Sequence, residues 1–370
     1  MERNGPRRVL FVFAWLVVGG EETEVRLLAR NLDPRRYKVD VVACMRRPNM
    51  PEQTHAQLEA LGVEVDRTPY SLSFEDTVAY LSRKISHYDL VVACQAAPDV
   101  YPALELLLPG KRPPLIEHGG LVSEATAGPK HLTSRYVGVC AQIRDAAASV
   151  MPGREHHALQ IPSMVDLSEF DPAYRDWARS ELCAGGEHVL FGWVGRLDRK
   201  KRVEDFIRGA TILYDRHPQA RFAVIGGPDA FMPEYAAELQ MLAEELGLAR
   251  ALVFTGDRAD VPRLMMGLDG LVWLSRGEGM PHVIAEAGAA GLPVIATRDN
   301  GSEEQITGGV TGLVVPHESP GSVAAAMERL LDPALRITLG SNLRDKVERE
   351  YSTAAVLPRW QALFEEVMDS

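Results

Sequence analysis

The sequence predicts an α/β protein that contains two doubly wound parallel sheets. At 370 residues, the chain is longer than a single compact core usually requires, which favours two domains. Short Val-rich runs alternate with amphipathic helical patterns, and this rhythm is typical of parallel strands covered by helices on both faces. The alternation stops once, in a stretch rich in Pro and Asp at residues 162–172, and then restarts. We therefore expect a domain boundary near residue 165.

The first half of the chain contains six strand-like runs, at residues 9–17, 39–44, 63–65, 90–94, 115–117 and 136–139. Between the first two, residues 22–32 place apolar side chains on one face at helical spacing. The first run follows two arginines, as in a signal peptide, but it is too short to span a bilayer and leads into Gly19 without a small-residue cleavage site. We interpret it as a buried strand.

The second half repeats the pattern, with strand-like runs at residues 189–194, 222–225, 252–254, 270–274, 293–296 and 313–315. The predicted domains are therefore residues 1–165 and 166–350, followed by a helical segment at residues 351–370. In open parallel sheets, ligands bind beyond the carboxyl ends of the strands. The loops that follow these runs are the first places to look for a site.

Composition excludes some classes of partner. The chain has 40 Lys and Arg against 51 Asp and Glu, and its net charge of −11 repels nucleic acid. A local basic patch could bring the protein to a membrane surface, but the net acidity does not support this. The four cysteines lie far apart without metal-ligand spacing, which indicates reduced thiols in a cytoplasmic protein: Cys44, Cys94, Cys140 and Cys183.

A basic loop follows the first strand of the second domain. Residues 195–202 read GRLDRKKR and carry five basic side chains, among them Arg196 and Lys201. Arg presents a planar fork of donors and Lys a point charge, and both can hold diphosphate oxygens and stabilise a departing one. The alternative is a solvated basic turn.

A second loop, after the strand at residues 270–274, carries Glu278 and leads through Pro281 into a helix that contains Glu286. Proline is tolerated in the first helical turn, and the free N–H groups of a helix N-terminus favour an anion. Glu286 is placed to accept hydrogen bonds from a ribose, and Glu278 to hold sugar hydroxyls. The alternative is an ordinary N-terminal charge preference and a helix-face carboxylate.

These segments resemble the large retaining glycosyltransferase family 4, also called glycosyl transferases group 1, which has the GT-B fold. Seven residues separate Glu278 from Glu286, as in the EX7E motif of that family, and EGMPHVIAEAGAAGLPVIAT is similar to its signature. The segments VGRLDRKKRVEDFI, IGGPD, VFTGDRADVPRLM, NGSEE and GVTGLVVP follow in the family's order, and IPSMVDLSEFDP resembles its linker. In the first half, the resemblance is limited to a GGEE loop at residues 19–22 and to His118.

The resemblance implies the roles of individual residues. It assigns catalysis to His118, Arg196, Lys201 and Glu278. It assigns donor binding to Gly19, Gly20, Gly227, Arg258, Glu278, Gly279, Met280, Pro281, His282, Val283 and Glu286. It implies no metal ion, and no DxD sequence occurs in the chain.

The resemblance also implies the activity and the arrangement of the domains. Two Rossmann-like domains would face a central cleft, with acceptor bound by the first, donor by the second, and the C-terminal helix crossing back to the first. The enzyme would move a sugar, with retention of configuration, from a UDP-sugar or GDP-sugar to a hydroxyl of a natural product, lipid carrier or glycan. It would need no cofactor. The sequence leaves the acceptor, sugar, base and oligomeric state open.

Two residues depart from the family pattern, and three other functions stay open. Arg202 stands where the family usually has Gly, and His282 where a small or apolar residue is common. A nucleotide-sugar 2-epimerase shares the fold and the donor site. A phosphorylase would need a lysine that binds pyridoxal phosphate, and a non-catalytic binder of sugar nucleotides would lack turnover.

Overall fold

A computed structural model of the chain describes residues 5–48 and 50–370. The chain divides into two compact units. The first unit contains the residues up to Met164 together with Thr353–Ser370, and the second unit contains Val165–Ser352. The chain therefore leaves the first unit once and returns to it at its C-terminal helix.

The first unit is built on a parallel sheet of seven strands within the described residues, in the order β3-β2-β1-β4-β5-β6-β7. The order reverses between β1 and β4, and a reversal of this kind opens a crevice at the carboxyl ends of the strands. The strands are β1 (Arg7–Trp15), β2 (Tyr37–Met45), β3 (Glu64–Asp66), β4 (Leu90–Cys94), β5 (Leu115–Gly119), β6 (Thr133–Gly138) and β7 (Ala158–Gln160).

Helices connect these strands. They are α1 (Gly20–Asn31), α2 (Gln53–Ala60), α3 (Phe74–Ile85), α4 (Ala97–Glu105), α5 (Val122–Thr126) and α6 (Ala141–Ser149). In the described part of the chain, no helix is both long enough and apolar enough to cross a membrane.

The second unit is built on a parallel sheet in the order β10-β9-β8-β11-β12-β13. Here the order reverses between β8 and β11. Its strands are β8 (Val189–Val194), β9 (Ala220–Ile225), β10 (Leu252–Phe254), β11 (Gly270–Trp273), β12 (Val294–Thr297) and β13 (Gly312–Val315). Its helices are α7 (Arg175–Glu181), α8 (Val203–Arg216), α9 (Glu234–Glu245), α10 (Val261–Met265), α11 (His282–Ala289), α12 (Asn300–Gln305), α13 (Pro320–Arg329) and α14 (Pro333–Glu350).

The structure differs from the sequence predictions mainly at strand ends. β1 begins at Arg7 rather than at residue 9, because the backbones of Arg7 and Arg8 pair with β2 while their side chains stay half-buried. The predicted strands missed β7, which is three residues long and too short to show a periodicity. Gly20 was expected in a loop, but it is the first residue of α1.

The last helix, α15 (Thr353–Met368), completes the core of the first unit. Its buried side chains recur at helical spacing and pack into the same apolar cluster as β1 and α1: Val356, Trp360, Leu363, Phe364 and Val367. The Trp360 indole N–H donates to Glu24 Oε1 at 2.8 Å, and the backbone N–H of Met164 donates to Glu24 Oε2 at 2.9 Å. The buried Glu24 carboxyl group therefore joins α15 to Met164, the last residue of the first chain segment of this unit.

Glu24 should make the stability of the first unit depend on pH. Burial raises its pKa to about 7, although the two hydrogen bonds oppose the shift. A raised pKa in the folded state gives stabilisation that is complete below about pH 4.5 and is lost as the pH rises through 7. Between pH 5 and pH 8, the free energy of unfolding of the wild type should therefore fall by up to about 3 kcal/mol more than that of Glu24→Gln. This follows from roughly 1.4 kcal/mol for each unit by which the pKa is raised.

Urea unfolding midpoints at the two pH values measure this difference, with exposed Glu59→Gln as the control. Parallel changes in wild type and Glu24→Gln would contradict the assignment.

Candidate active site

The loop after β8 carries the predicted phosphate-binding residues of the second unit. Arg196 lies at the start of this loop, and its Nε is 2.7 Å from Oδ2 of the buried Asp229. About a third of the Arg196 side chain stays exposed. The charge of the aspartate therefore holds the guanidinium nearby, while part of the arginine side chain still faces solvent.

Lys201 ends a short 3-10 turn in the same loop. Its ammonium lies 4.7 Å from the centre of the Trp273 ring and 2.8 Å from Glu278 Oε1. Trp273 in turn stacks on Trp193 of β8. The lysine is held by an aromatic face and a carboxylate, so its charge has a defined position.

Glu278 lies in the loop between β11 and α11, where it accepts hydrogen bonds from Lys201 and from the Ser275 hydroxyl, the latter at 2.7 Å. Its backbone N–H donates to Asp299 Oδ2 at 3.0 Å. Burial alone would raise the pKa of Glu278, but the charge and hydrogen bond of Lys201 outweigh it, and the pKa is lowered below the usual 4.5. The carboxylate is ionised at neutral pH.

The donor-binding residues predicted next to Glu278 surround the start of α11. Gly279 and Met280 precede the helix, Pro281 caps it, and His282 is its first residue. Val283 is buried, and Glu286 lies one turn further on, with Oε1 3.6 Å from His282 Nδ1. The N-terminus of α11 and Glu286 therefore lie on the short helix that directly follows the loop of Glu278.

Four loops at the carboxyl edge of this sheet are joined to one another. The backbone of Leu197 donates to Gly227 at 2.9 Å, which ties the β8 loop to the β9 loop. The backbone of Arg276 donates to Lys200 at 2.9 Å, which ties the β8 loop to the β11 loop. Asp299 brings in the loop after β12. The predicted phosphate and sugar residues therefore belong to one connected assembly.

Two glycines allow these loops to approach closely. A Cβ atom at Gly227 would lie 2.3 Å from the carboxylate of Asp257. A Cβ atom at Gly301 would lie 1.4 Å from the backbone oxygen of Gly279, so α12 can pack against the Glu278 loop only through a glycine. The backbones of α12 and of the Glu278 loop are therefore in direct contact.

Arg202 is the departure from the family pattern that the structure explains best. It adopts the left-handed conformation, with φ 53° and ψ 46°, which glycine reaches without steric cost. Here the guanidinium pairs with Asp205 and Glu204, both at 2.9 Å. These two ion pairs offset part of the backbone strain.

In the first unit, the predicted residues lie at the carboxyl ends of β1 and β5. Gly19 caps α1, and a Cβ atom there would lie 2.6 Å from Oε2 of Glu22. His118 lies in β5 with Nδ1 3.8 Å from Glu21 Oε1. Burial lowers the pKa of His118 to about 4, so its imidazole is neutral at pH 7.

One predicted donor residue stands apart from the rest. Arg258 pairs with Asp260 at 2.8 Å and with Glu181 at 3.2 Å, and among the described residues no ion pair joins it to Glu278. The roles assigned to individual residues by resemblance stay predictions.

Sequence reasoning missed three residues of this assembly, namely Asp229, Ser275 and Asp299. All three follow directly or closely on the carboxyl end of a strand in the second sheet. The rule that ligand sites lie beyond these ends could have singled them out. It could not have shown which basic or acidic group each one contacts.

Residues 188–333 match the family model described as glycosyl transferases group 1. This stretch of the second unit is similar to that family. The match covers most of the second unit, including the loops that carry Arg196, Lys201 and Glu278.

Curated relatives that the chain resembles also carry the name of a glycosyltransferase. D-inositol 3-phosphate glycosyltransferase from Corynebacterium jeikeium is 35% identical over 190 residues, which are 49% of this chain and 45% of that protein. The protein of the same name from Saccharomonospora viridis is 30% identical over 55% of this chain and 47% of its own length. The chain spans about half the length of the curated relatives it matches.

Solved structures resemble the chain over almost its whole length. HepE from Anabaena, crystallised with UDP and glucose, has a TM-score of 0.81 at 20% identity and covers 97% of this chain and 100% of its own. Sucrose-phosphate synthase from Thermosynechococcus elongatus has a TM-score of 0.76 at 19% identity, covering 98% and 99% of the two chains. The predicted fold class, α/β with two Rossmann-like doubly wound sheets of the GT-B type, is confirmed.

Gly301→Ala tests the close packing of α12 on the Glu278 loop. Its Cβ atom would overlap the backbone oxygen of Gly279, so the loop must shift, at a cost of about 1–3 kcal/mol or more. The matched control is Gly321→Ala, which also changes the second residue of a helix, α13, but meets no atom within 4 Å. The control should be neutral or stabilising by up to about 1 kcal/mol.

Unfolding midpoints in urea compare the two variants. Equal stability of the two would show that the contact between α12 and the loop is absent in solution.

Proposed function

We propose that the chain is a retaining glycosyltransferase that moves a sugar from a nucleotide-diphospho-sugar to a hydroxyl acceptor. The observation that supports this best is the connected set of four loops around the pair of Lys201 and Glu278. It combines cations for a diphosphate with a carboxylate for sugar hydroxyls, at the edge of a parallel sheet where such ligands bind.

In this proposal, Arg196 and Lys201 bind the diphosphate and stabilise the charge that develops on it as it leaves. Both side chains are already oriented, by Asp229 and by Trp273 with Glu278, so little reorganisation is needed during the reaction. A well-placed donor of this kind contributes about 3 kcal/mol to lowering the barrier. Arg196 and Lys201 would neutralise the charge of the diphosphate, as a metal ion does in other enzymes. We therefore propose a metal-independent enzyme.

Glu286 and Glu278 would bind the two other parts of the donor, the ribose and the sugar. Glu286, one turn into α11, would accept hydrogen bonds from the ribose diol. Glu278 would orient the donor sugar through its hydroxyls, because its carboxylate is ionised and fixed by Lys201 and Ser275. Backbone N–H groups near Met280 would add donors to the diphosphate.

The proposed step breaks the bond between the anomeric carbon and the diphosphate oxygen and forms one from that carbon to the acceptor oxygen on the same face. The acceptor proton passes to the departing diphosphate. His118 stays neutral at pH 7 and can offer hydrogen bonds to the reacting sugar without adding charge. No covalent glycosyl-enzyme is invoked.

The donor and acceptor are assigned by class. HepE was crystallised with UDP-glucose, so a UDP-sugar is our first candidate, and a GDP-sugar the second. We assign acceptor binding to the first unit and the cytoplasm as the compartment in which the enzyme works.

The donor site predicts selective binding of one nucleotide. Calorimetry with UDP, GDP, ADP and TDP should give clear binding of one of them to wild type. Glu286→Ala and Arg196→Ala should each weaken this binding by about tenfold or more, since a hydrogen bond to a charged group contributes about 1.5–3 kcal/mol. Glu238→Gln, which alters the neighbouring ion pair of Arg199, is the control and should bind normally. Binding of no nucleotide would refute the proposal.

The reaction itself predicts a retained anomeric configuration and no need for a metal ion. Proton NMR of the product, formed from an α-linked UDP-sugar, should show the α anomer, and EDTA should leave the rate unchanged. An inverted product or abolition of the activity by EDTA would contradict the mechanism. Conversion of the donor sugar without any acceptor product would favour the 2-epimerase instead.

A further inference from the structure

Two buried polar side chains of the first unit point at the glycine pair that ends β5. Glu21 on α1 is 9% exposed, and Tyr136 on β6 is 1% exposed. Neither oxygen of the Glu21 carboxyl group nor the Tyr136 hydroxyl has a hydrogen-bond partner among the described residues. Buried polar groups are nearly always satisfied, so two unpartnered groups beside adjacent glycines indicate a place where a polar ligand group can bind.

The two groups lie next to Gly119 and Gly120. A Cβ atom at Gly119 would be 1.9 Å from the Tyr136 hydroxyl, so this hydroxyl lies directly over the backbone. A Cβ atom at Gly120 would meet a single group, Glu21 Oε1 at 3.7 Å, and would otherwise enter open space. The absence of a side chain at Gly120 leaves room for a ligand group beside the Glu21 carboxyl.

The surroundings of this place are acidic. Glu124 accepts the backbone N–H groups of Gly120 and Leu121 at 3.0 and 3.1 Å, and Glu22 accepts that of Val17 at 3.1 Å. Burial, and then Glu124 and Glu22, raise the pKa of Glu21 well above its usual range. The side chain of Gln95 opposes this shift, although it does not form a hydrogen bond of normal geometry with either Glu21 oxygen. No lysine or arginine is among the groups that shift this pKa.

The neighbouring basic groups do not neutralise this acidity. His118 lies 3.8 Å from Glu21, but burial lowers its pKa to about 4 and keeps it neutral at pH 7. The ammonium of Lys130 lies 5.0 Å from the centre of the Tyr136 ring, but it is paired with Glu117 at 2.6 Å. Among the described residues, no side chain that is cationic at pH 7 lies within ion-pair distance of Glu21.

We infer that the face of Gly119 and Gly120 binds the ammonium group of an amine-bearing acceptor, held by Glu21 and Tyr136. An ammonium group carries three N–H donors for the Glu21 oxygens and the Tyr136 hydroxyl. When Glu21 gives up its proton, the ammonium charge offsets the repulsion of the new carboxylate by Glu22 and Glu124. A phosphate-bearing acceptor would be repelled. This inference rests on the proposed function and names the acceptor class: an amino alcohol or amino sugar whose hydroxyl is glycosylated.

The test compares two small probes that differ in one group. Calorimetry at pH 7 on the full chain, saturated with its nucleotide, measures trans-2-aminocyclohexanol and trans-cyclohexane-1,2-diol. The amine should bind at least tenfold more tightly than the diol, and its binding should release a proton as Glu21 ionises, seen by repeating the titration in buffers of different ionisation heat. Glu21→Gln should abolish both the preference and the proton release.

Two further variants and a nucleotide control keep the test decisive. Tyr136→Phe should weaken amine binding severalfold, and Glu59→Gln, on the exposed face of α2, should leave it unchanged. Nucleotide affinity should stay the same in all three variants, so a failure of amine binding alone leaves the proposed function standing.

Equal affinity for the two probes would overturn the inference, as would an amine preference that survives in Glu21→Gln. Tighter binding of D-inositol 3-phosphate than of the amine, or of calcium ions with the same dependence on Glu21, would also overturn it.

Discussion

The ion pair between Lys201 and Glu278 joins two crossover connections of the second sheet that are 77 residues apart in the chain. Parallel sheets bring such loops to one edge, but the topology alone does not fix their side chains. Here the lysine is held by the ring of Trp273, and the glutamate by Ser275 and by the link from its backbone to Asp299. The charges of the candidate site are fixed before any ligand is present, which is the condition for electrostatic catalysis.

The two units share a topology but differ in the charges at their carboxyl edges. In the second unit, Lys201 and Arg196 each have a carboxylate partner, and the pKa of Glu278 is lowered. In the first unit, no lysine or arginine among the described residues forms an ion pair with Glu21, and burial raises the pKa of Glu21. The first arrangement suits a diphosphate held without large reorganisation, whereas the second suits a ligand that brings its own positive charge.

Much of the fold could be predicted from the sequence because parallel strands are buried on both faces. Runs such as Leu90–Cys94 and Val189–Val194 are continuously apolar, and their predicted bounds agree with the structure. Strand ends were less predictable, since Arg7 and Arg8 extend β1 through backbone pairing while their side chains reach solvent. The three residues of β7 carry too little periodicity to be recognised.

The sequence predicted which residues belong to the candidate site better than it predicted the contacts between them. The spacing of Glu278 and Glu286, and the basic loop after β8, could be read from the chain, but the Asp229 and Asp299 contacts depend on how separate loops meet. Arg258 illustrates the limit, because its matching motif does not reveal that Asp260 and Glu181 hold its guanidinium. The acidity around Gly120 was also hidden, since it combines Glu21, Glu22 and Glu124 from two helices.

The central claim is that the carboxyl edge of the second sheet is a nucleotide-diphospho-sugar site. The most direct test is a crystal structure of the chain with UDP or the nucleotide that it binds best. The account predicts the diphosphate against Arg196, Lys201 and the N-terminus of α11, with the ribose on Glu286. Nucleotide bound elsewhere on the chain, with these four groups unoccupied, would contradict it.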